Sequence, residues 1–174
     1  MIEPAVAEDR DDDEVLASRS STIDMTANDD EVWSVRAFIY DFIVAHERPP
    51  AVAETAAHMQ LPHDEAHRIY TLLDARHAIF LESGSDTIRM ANPFSGIPTS
   101  FQVHVSGRTY WANCAWDALG IPAALHADAT IEAILSDTGE PVVLNVEAGE
   151  VVRRGEFVHF ARPFRSWYDD LAFT

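Results

Sequence analysis

The hydrophobic period of this chain changes once along its length, and that change restricts the fold more than any other feature. From Glu31 onward, Val32, Trp33, Val35, Ala37, Phe38, Ile39, Phe42, Ile43 and Val44 recur at a spacing near 3.6, which lays a broad apolar stripe on one helix face. Arg48-Pro-Pro ends this helix, because a proline disfavours helical backbone in the residue before it. A second short helix is expected from about Ala51 to Met59. A third follows Pro62, from His63 to about His77, with Ala66, Ile69, Tyr70, Leu72 and Leu73 facing inward. Period two then takes over. Ala78 to Glu82 and Thr87 to Ala91 read as short strands about a Gly84 turn, and Phe101, Val103 and Val105 alternate with Gln102, His104 and Ser106 in a half-buried strand. Helices first and strands afterwards define an α+β chain.

The rest follows from the turn residues. Asn92-Pro-Phe-Ser-Gly-Ile-Pro-Thr is rich in breakers and joins the two halves. Gly107 turns the first strand into a second at Arg108 to Ala112. Asn113, a good N-cap, and Gly120, a good C′ residue, bracket a short helix from Cys114 to Leu119, and Ile121 to Leu125 continues as an apolar segment. Thr130 to Leu135 and Val142 to Val146 form a hairpin about Asp137-Thr-Gly-Glu140. Glu156 to Ala161 reads as another strand, and Phe164 to Phe173 as a terminal helix. The organisation is an acidic disordered tail (1–30), a winged-helix-like helical domain (31–91), a linker (92–100), and a small mixed β-sheet domain with short helices (101–174).

Charge narrows the partners. With 29 acidic against 12 basic residues and a formal net charge of -17, the chain is a poor match for nucleic acid, whose backbone is held by Lys and Arg clusters. Three helices and a hairpin are the order of a winged helix-turn-helix. Yet its would-be recognition helix mixes Asp64, Glu65 and Asp74 with Arg68 and Arg76. No run approaches the roughly 18 apolar residues of a membrane span, and Met1 to Glu14 lacks the basic start and apolar middle of a signal peptide. The expectation is a soluble cytoplasmic protein without a membrane partner. The Asp9 to Glu14 run lacks the glycine and terminal glutamate of a calcium loop. His63 and His67 are four apart, but Asp64 stands where a zincin needs glutamate, so they read as exposed polar residues. Nothing in the pattern specifies an oligomeric state.

One pair carries chemistry. Cys114, the single cysteine of the chain, precedes Asp117 by three residues, which places thiol and carboxylate on one helix face. A helix N-terminus favours thiolate and a neighbouring carboxylate opposes it, so the two share a proton and titrate together. A soft metal can displace that proton from sulfur, and the carboxylate can hold it for a leaving group. On spacing alone a second reading stands beside this one. A lone cysteine among Ala115, Trp116, Ala118 and Leu119 also suits a small buried hydrophobe. Weaker candidates are His104 and His159 on strands, and Trp111 and Trp116 as pocket walls.

Three stretches carry a family resemblance: Asn92-Pro-Phe-Ser-Gly-Ile-Pro-Thr-Ser-Phe-Gln-Val, then Tyr110-Trp-Ala-Asn-Cys-Ala-Trp-Asp-Ala-Leu-Gly-Ile-Pro-Ala-Ala-Leu, and finally Val158-His-Phe-Ala-Arg-Pro with Trp167-Tyr-Asp-Asp. Over about residues 92–174 the chain resembles the organomercurial (alkylmercury) lyase family. The resemblance implies that Cys114 binds mercury as a thiolate and that Asp117 takes part in protonating the carbon that leaves. It also exposes a departure. The family uses a second cysteine near the strand that here reads Glu156 to Ala161, or in some relatives beyond the segment Leu171 to Thr174; here Gly155 and Glu156 occupy the first region, and no cysteine occurs as far as Thr174. Glu156 could offer mercury an oxygen, a poor match for a metal that prefers sulfur. The implied function is carbon–mercury bond cleavage on a small-molecule organometallic ligand, without a cofactor, and with external thiols as mercury acceptors. The alternatives are a repurposed relative using the Cys-Asp pair on another substrate, and a non-catalytic binder of a soft metal or thiol-reactive ligand.

Overall fold

The first helix begins at an asparagine. In the computed structural model, which describes residues 28–152 together with Gly155 and Val158, Asn28 accepts the Asp30 N–H on its side-chain oxygen at 3.2 Å. Asp29, Asp30 and Glu31 fill the first turn of α1 (Asp29–His46), where the helix dipole favours acid. Asp29 and Asp30, assigned above to the acidic tail, therefore belong to this helix. After α1 come α2 (Val52–Met59) and α3 (His63–Ala75), and then the hairpin of β1 (Phe80–Leu81) and β2 (Ile88–Ala91). The second half comprises β3 (Phe94–Ser95), β4 (Phe101–Val105), β5 (Arg108–Ala112), α4 (Ala115–Leu125), β6 (Ala129–Ile134), β7 (Pro141–Glu147) and β8 (Glu150–Val151). The strand at Glu156 to Ala161, the helix at Phe164 to Phe173, the candidates Glu156 and His159, and residues 1–27 of the tail lie outside the described residues.

The α+β expectation holds. The described strands make one sheet in the order β1-β2-β3-β5-β4-β6-β7-β8, with every described pairing antiparallel. The breaker-rich joining segment contributes β3, which pairs with β2 on one side and β5 on the other, so the sheet runs unbroken from the first half into the second. Register puts Val103 opposite Tyr110 and Ile131, and Ala129 opposite Val146, all buried, which is the period-two alternation expected of a strand with one core face. The inward residues of the helices, among them Val35, Ile39, Ile69 and Leu73, join that face in one core cluster with Ala118 and Ile121 of α4.

Buried polar groups in this core are paired. Tyr70 and Thr55 are both fully buried, and their hydroxyls lie 2.7 Å apart while the Tyr70 hydroxyl donates to the Pro50 carbonyl at 3.2 Å. This links α3 to α2 and to the turn before it. Tyr70→Phe leaves Thr55 and Pro50 without that partner, and it should cost about 1–3 kcal/mol of unfolding free energy. Urea denaturation reads this directly; an unchanged midpoint would contradict it. Arg68 of α3 is bound by Glu65 at 2.6 Å, and Arg76, which caps the helix, by Asp29 at 2.8 Å, so both arginines are already paired with acid.

One element departs from expectation. The helix after β5 runs through Gly120 and Pro122 to Leu125, and it ends at His126 with φ 49. Gly120 is thus not a terminator. A Cβ at this position would meet the Pro93 Cβ at 3.1 Å, so the glycine permits close approach between α4 and the turn before β3. The apolar Ile121 to Leu125 stretch is the second half of the same helix.

Candidate active site

Strand β5 ends at Ala112, whose carbonyl accepts the Thr99 hydroxyl at 2.5 Å, and α4 begins three residues later. Cys114 occupies that junction in extended conformation (φ -147, ψ 177), and its carbonyl accepts the Ala118 N–H at 2.9 Å. Cys114 is therefore the N-cap residue itself, not Asn113, and it stands one position before the first turn where the sequence pattern placed it. Its sulfur makes no capping hydrogen bond. It points instead at the carboxylate three residues on: Cys114 Sγ donates to Asp117 Oδ2 at 3.4 Å.

Burial governs the electrostatics of the pair. It pushes the Cys114 thiol above the ordinary thiol range, and the Asp117 charge and hydrogen bond push the same way; the backbone N–H groups of Asp117 and Trp116 at the helix start oppose them. Burial likewise raises the Asp117 carboxyl to about 6, against the downward pull of the hydrogen bond from Cys114. Near neutral pH the resting pair therefore holds one proton, on sulfur, beside a carboxylate that accepts a proton readily and gives it up readily. That arrangement suits an electrophile that takes sulfur and a product that takes the proton.

Sequence reasoning missed the neighbour on α1. Tyr40, mostly buried, donates its hydroxyl to the Asn92 carbonyl at 2.9 Å and accepts Arg36 Nη2 at 3.0 Å, while the Arg36 guanidinium lies 4.5 Å from the centre of its ring. Burial raises the Tyr40 hydroxyl above its ordinary range, Arg36 lowers it, and the negative charge of Asp117 raises it further. The charge of the site is thus felt on the first helix. An available signal was the i, i+4 spacing of Arg36 and Tyr40 inside an otherwise apolar stripe.

The weaker candidates separate from the pair. On β5 the alternation buries Tyr110 and Ala112 in the core and turns Trp111 to the opposite face. His104 shares that opposite face, bonded through Nδ1 to Thr109 at 3.1 Å, with Nε2 3.6 Å from Glu132. Trp116 stays near, one residue before Asp117, but 58% of it is exposed. Among the described residues no three His, Cys, Asp or Glu side chains gather as a metal-binding group, and His67 is engaged by Asp86 at 3.3 Å. Nor is any helix among them long and apolar enough to cross a membrane.

Comparisons with known proteins point to one family. The family described as alkylmercury lyase matches residues 94–173. Alkylmercury lyases of Bacillus cereus and Clostridium butyricum are each 41% identical over 56 residues, which is 32% of this chain but only 26% of either relative. The matched stretch thus spans about a quarter of those proteins. In three dimensions the chain is similar to the crystal structure of the mercury-bound form of MerB2, with a TM-score of 0.58 and 25% identity over 74% of this chain and 61% of that one.

Proposed function

The chain is a homologue of the alkylmercury lyases, and on that footing we propose that it cleaves carbon–mercury bonds by protonolysis with Cys114 and Asp117. The observation that carries this reading is the 3.4 Å hydrogen bond from the Cys114 thiol to the half-buried Asp117 carboxylate. It puts a sulfur nucleophile and a proton acceptor of suitable strength side by side.

The steps balance as follows. An organomercurial arrives bound to a small thiol. Cys114 sulfur bonds to mercury, the small thiolate leaves, and the thiol proton passes to Asp117. Protonated Asp117 then delivers this proton to the carbon. The carbon–mercury pair becomes the new carbon–hydrogen bond, and the hydrocarbon departs as a thiolate from solution takes its place on mercury. A second small thiol finally displaces Cys114 and returns a proton to its sulfur, so mercury leaves carrying two external thiolates. External thiols supply the further sulfur ligands, as Cys114 is the single cysteine of residues 1–174. Sulfur is the ligand type mercury prefers, and a carboxylate such as Glu156 is a weaker substitute.

The pH dependence tests this reading. Below about 6 Asp117 is already protonated and cannot accept the thiol proton. Above the raised range of Cys114 the pair holds no proton for carbon. Hydrocarbon release at saturating small thiol should follow a bell with its acid limb near 6 and its alkaline limb above the ordinary thiol range. A rate that climbs steadily with pH, tracking only the ionisation of the added thiol, would contradict a role for the pair.

A further inference from the structure

The site helix abuts the turn before β3, and that turn is held by α1. Tyr40 on α1 holds the Asn92 carbonyl at 2.9 Å. The next residue, Pro93, abuts α4 at Gly120, where a Cβ would stand only 3.1 Å from the proline Cβ. Gly120 follows Asp117 by three positions and so shares its helix face. Arg36 completes the bracket from below. It donates Nη2 to the Tyr40 hydroxyl at 3.0 Å and Nε to the Ala78 carbonyl at 3.2 Å, which fixes the tyrosine from the α3–β1 connection. The Tyr40 ring meets Phe94 edge-on at 6.4 Å, and Phe94 meets Tyr110 of β5 at 5.3 Å. The Tyr40 contacts with Asn92 and Phe94 tie α1 to the segment that abuts α4 and pairs with β5.

The geometry points to Tyr40 as a positioning residue that, through Asn92 and Pro93, seats α4 so that Cys114 and Asp117 stay buried and aligned. The inference rests on the lyase reading and extends it to the first half of the chain: α1 is part of the reaction centre's mounting. Small displacements matter here, because a reacting group misplaced by about 1 Å can lose roughly 100-fold in rate.

The groups around the pair make the effect readable. From α1 come Tyr40 and, behind it, Arg36. The core-facing residues of β4, β5 and β6 are Val103, Val105, Tyr110, Ala112, Ala129 and Ile131, and the single titratable group among these, Tyr110, donates its hydroxyl to the Val44 carbonyl at 3.0 Å. Cys114 and Asp117 are perturbed mainly by burial, so unseating α4 admits water and lets both groups relax toward their ordinary values.

The experiment compares wild type, Tyr40→Phe and Gly120→Ala by the pH profile of Cys114 alkylation with iodoacetamide. Thermal melting and hydrocarbon release from phenylmercury are measured alongside. Tyr40→Phe keeps the ring and removes both hydroxyl hydrogen bonds; Gly120→Ala pushes at the other end of the bracket. Both should lower the alkylation inflection by roughly half a pH unit or more, and Tyr40→Phe should reduce hydrocarbon release roughly tenfold. A purely structural tyrosine would lower the melting temperature and leave the alkylation profile in place, and that result overturns the proposal. Because alkylation needs no turnover, the two readings fail separately: absent hydrocarbon release in wild type defeats the lyase reading, whereas an unmoved inflection in both variants defeats the bracket.

Discussion

Cys114→Ser should lose hydrocarbon release from phenylmercury by at least ~1000-fold, to the background set by the added thiol. The reason is chemical and not steric. Serine preserves the extended backbone at the start of α4 and can still hydrogen-bond Asp117, but its oxygen is a hard ligand that mercury does not prefer. The melting temperature should stay close to wild type, because the thiol is half-buried and makes no capping hydrogen bond whose loss would loosen α4. Mass spectrometry should show an aryl-mercury adduct on wild type and none on the variant, since the chain has no other cysteine. Release that survives the substitution would remove Cys114 from the reaction.

Asp117→Asn should move activity and stability in opposite directions. Hydrocarbon release should fall by roughly 10²–10⁴-fold, the usual scale for removing a general acid, while the mercury adduct on Cys114 still forms. Stability should rise. The folded chain keeps a proton on Asp117 to about 6, against an ordinary value of 3.8. This raised value favours folding least when the group is charged. Below about 3.8 the carboxyl is protonated folded and unfolded alike; between 3.8 and 6 the folded state is progressively penalised, and above 6 the full penalty applies. An uncharged asparagine escapes it, so at pH 7 the variant should be about 1–3 kcal/mol more stable, with the gap closing as the pH falls toward 4. Denaturant titrations at both pH values test this. A variant less stable at pH 7 would mean that the Cys114 hydrogen bond outweighs the burial of the charge.

The legibility of these features in the sequence follows their physical range. The helices and the hairpins were readable because period 3.6 and period two are local, and the observed α2, α3 and the β6–β7 hairpin begin and end within a few residues of their expected bounds. The Cys114–Asp117 contact was readable for the same reason, since three residues on a helix fix a neighbour. Gly120 was misread because glycine has two uses: terminating a helix and permitting close approach. The choice between them was made by Pro93, which is distant in sequence. β3 escaped for a similar reason, as a two-residue strand inside a breaker-rich segment is specified by its partners β2 and β5 and not by its own pattern. Tyr40 and Arg36 lay hidden in the apolar stripe of α1, and their relation to Asn92 spans 52 residues. Separation of Trp111 and His104 from the pair needed strand register, which alternation alone does not anchor.

The most direct test of the account is a multiple-turnover assay of benzene release from phenylmercury, with purified protein in excess small thiol set against the same thiol alone. The account predicts many equivalents of benzene per Cys114, at a rate proportional to protein and dependent on the thiol concentration. Benzene at the thiol background, with Cys114 fully occupied by an aryl-mercury adduct, would contradict it and leave a protein that captures organomercurials without cleaving them.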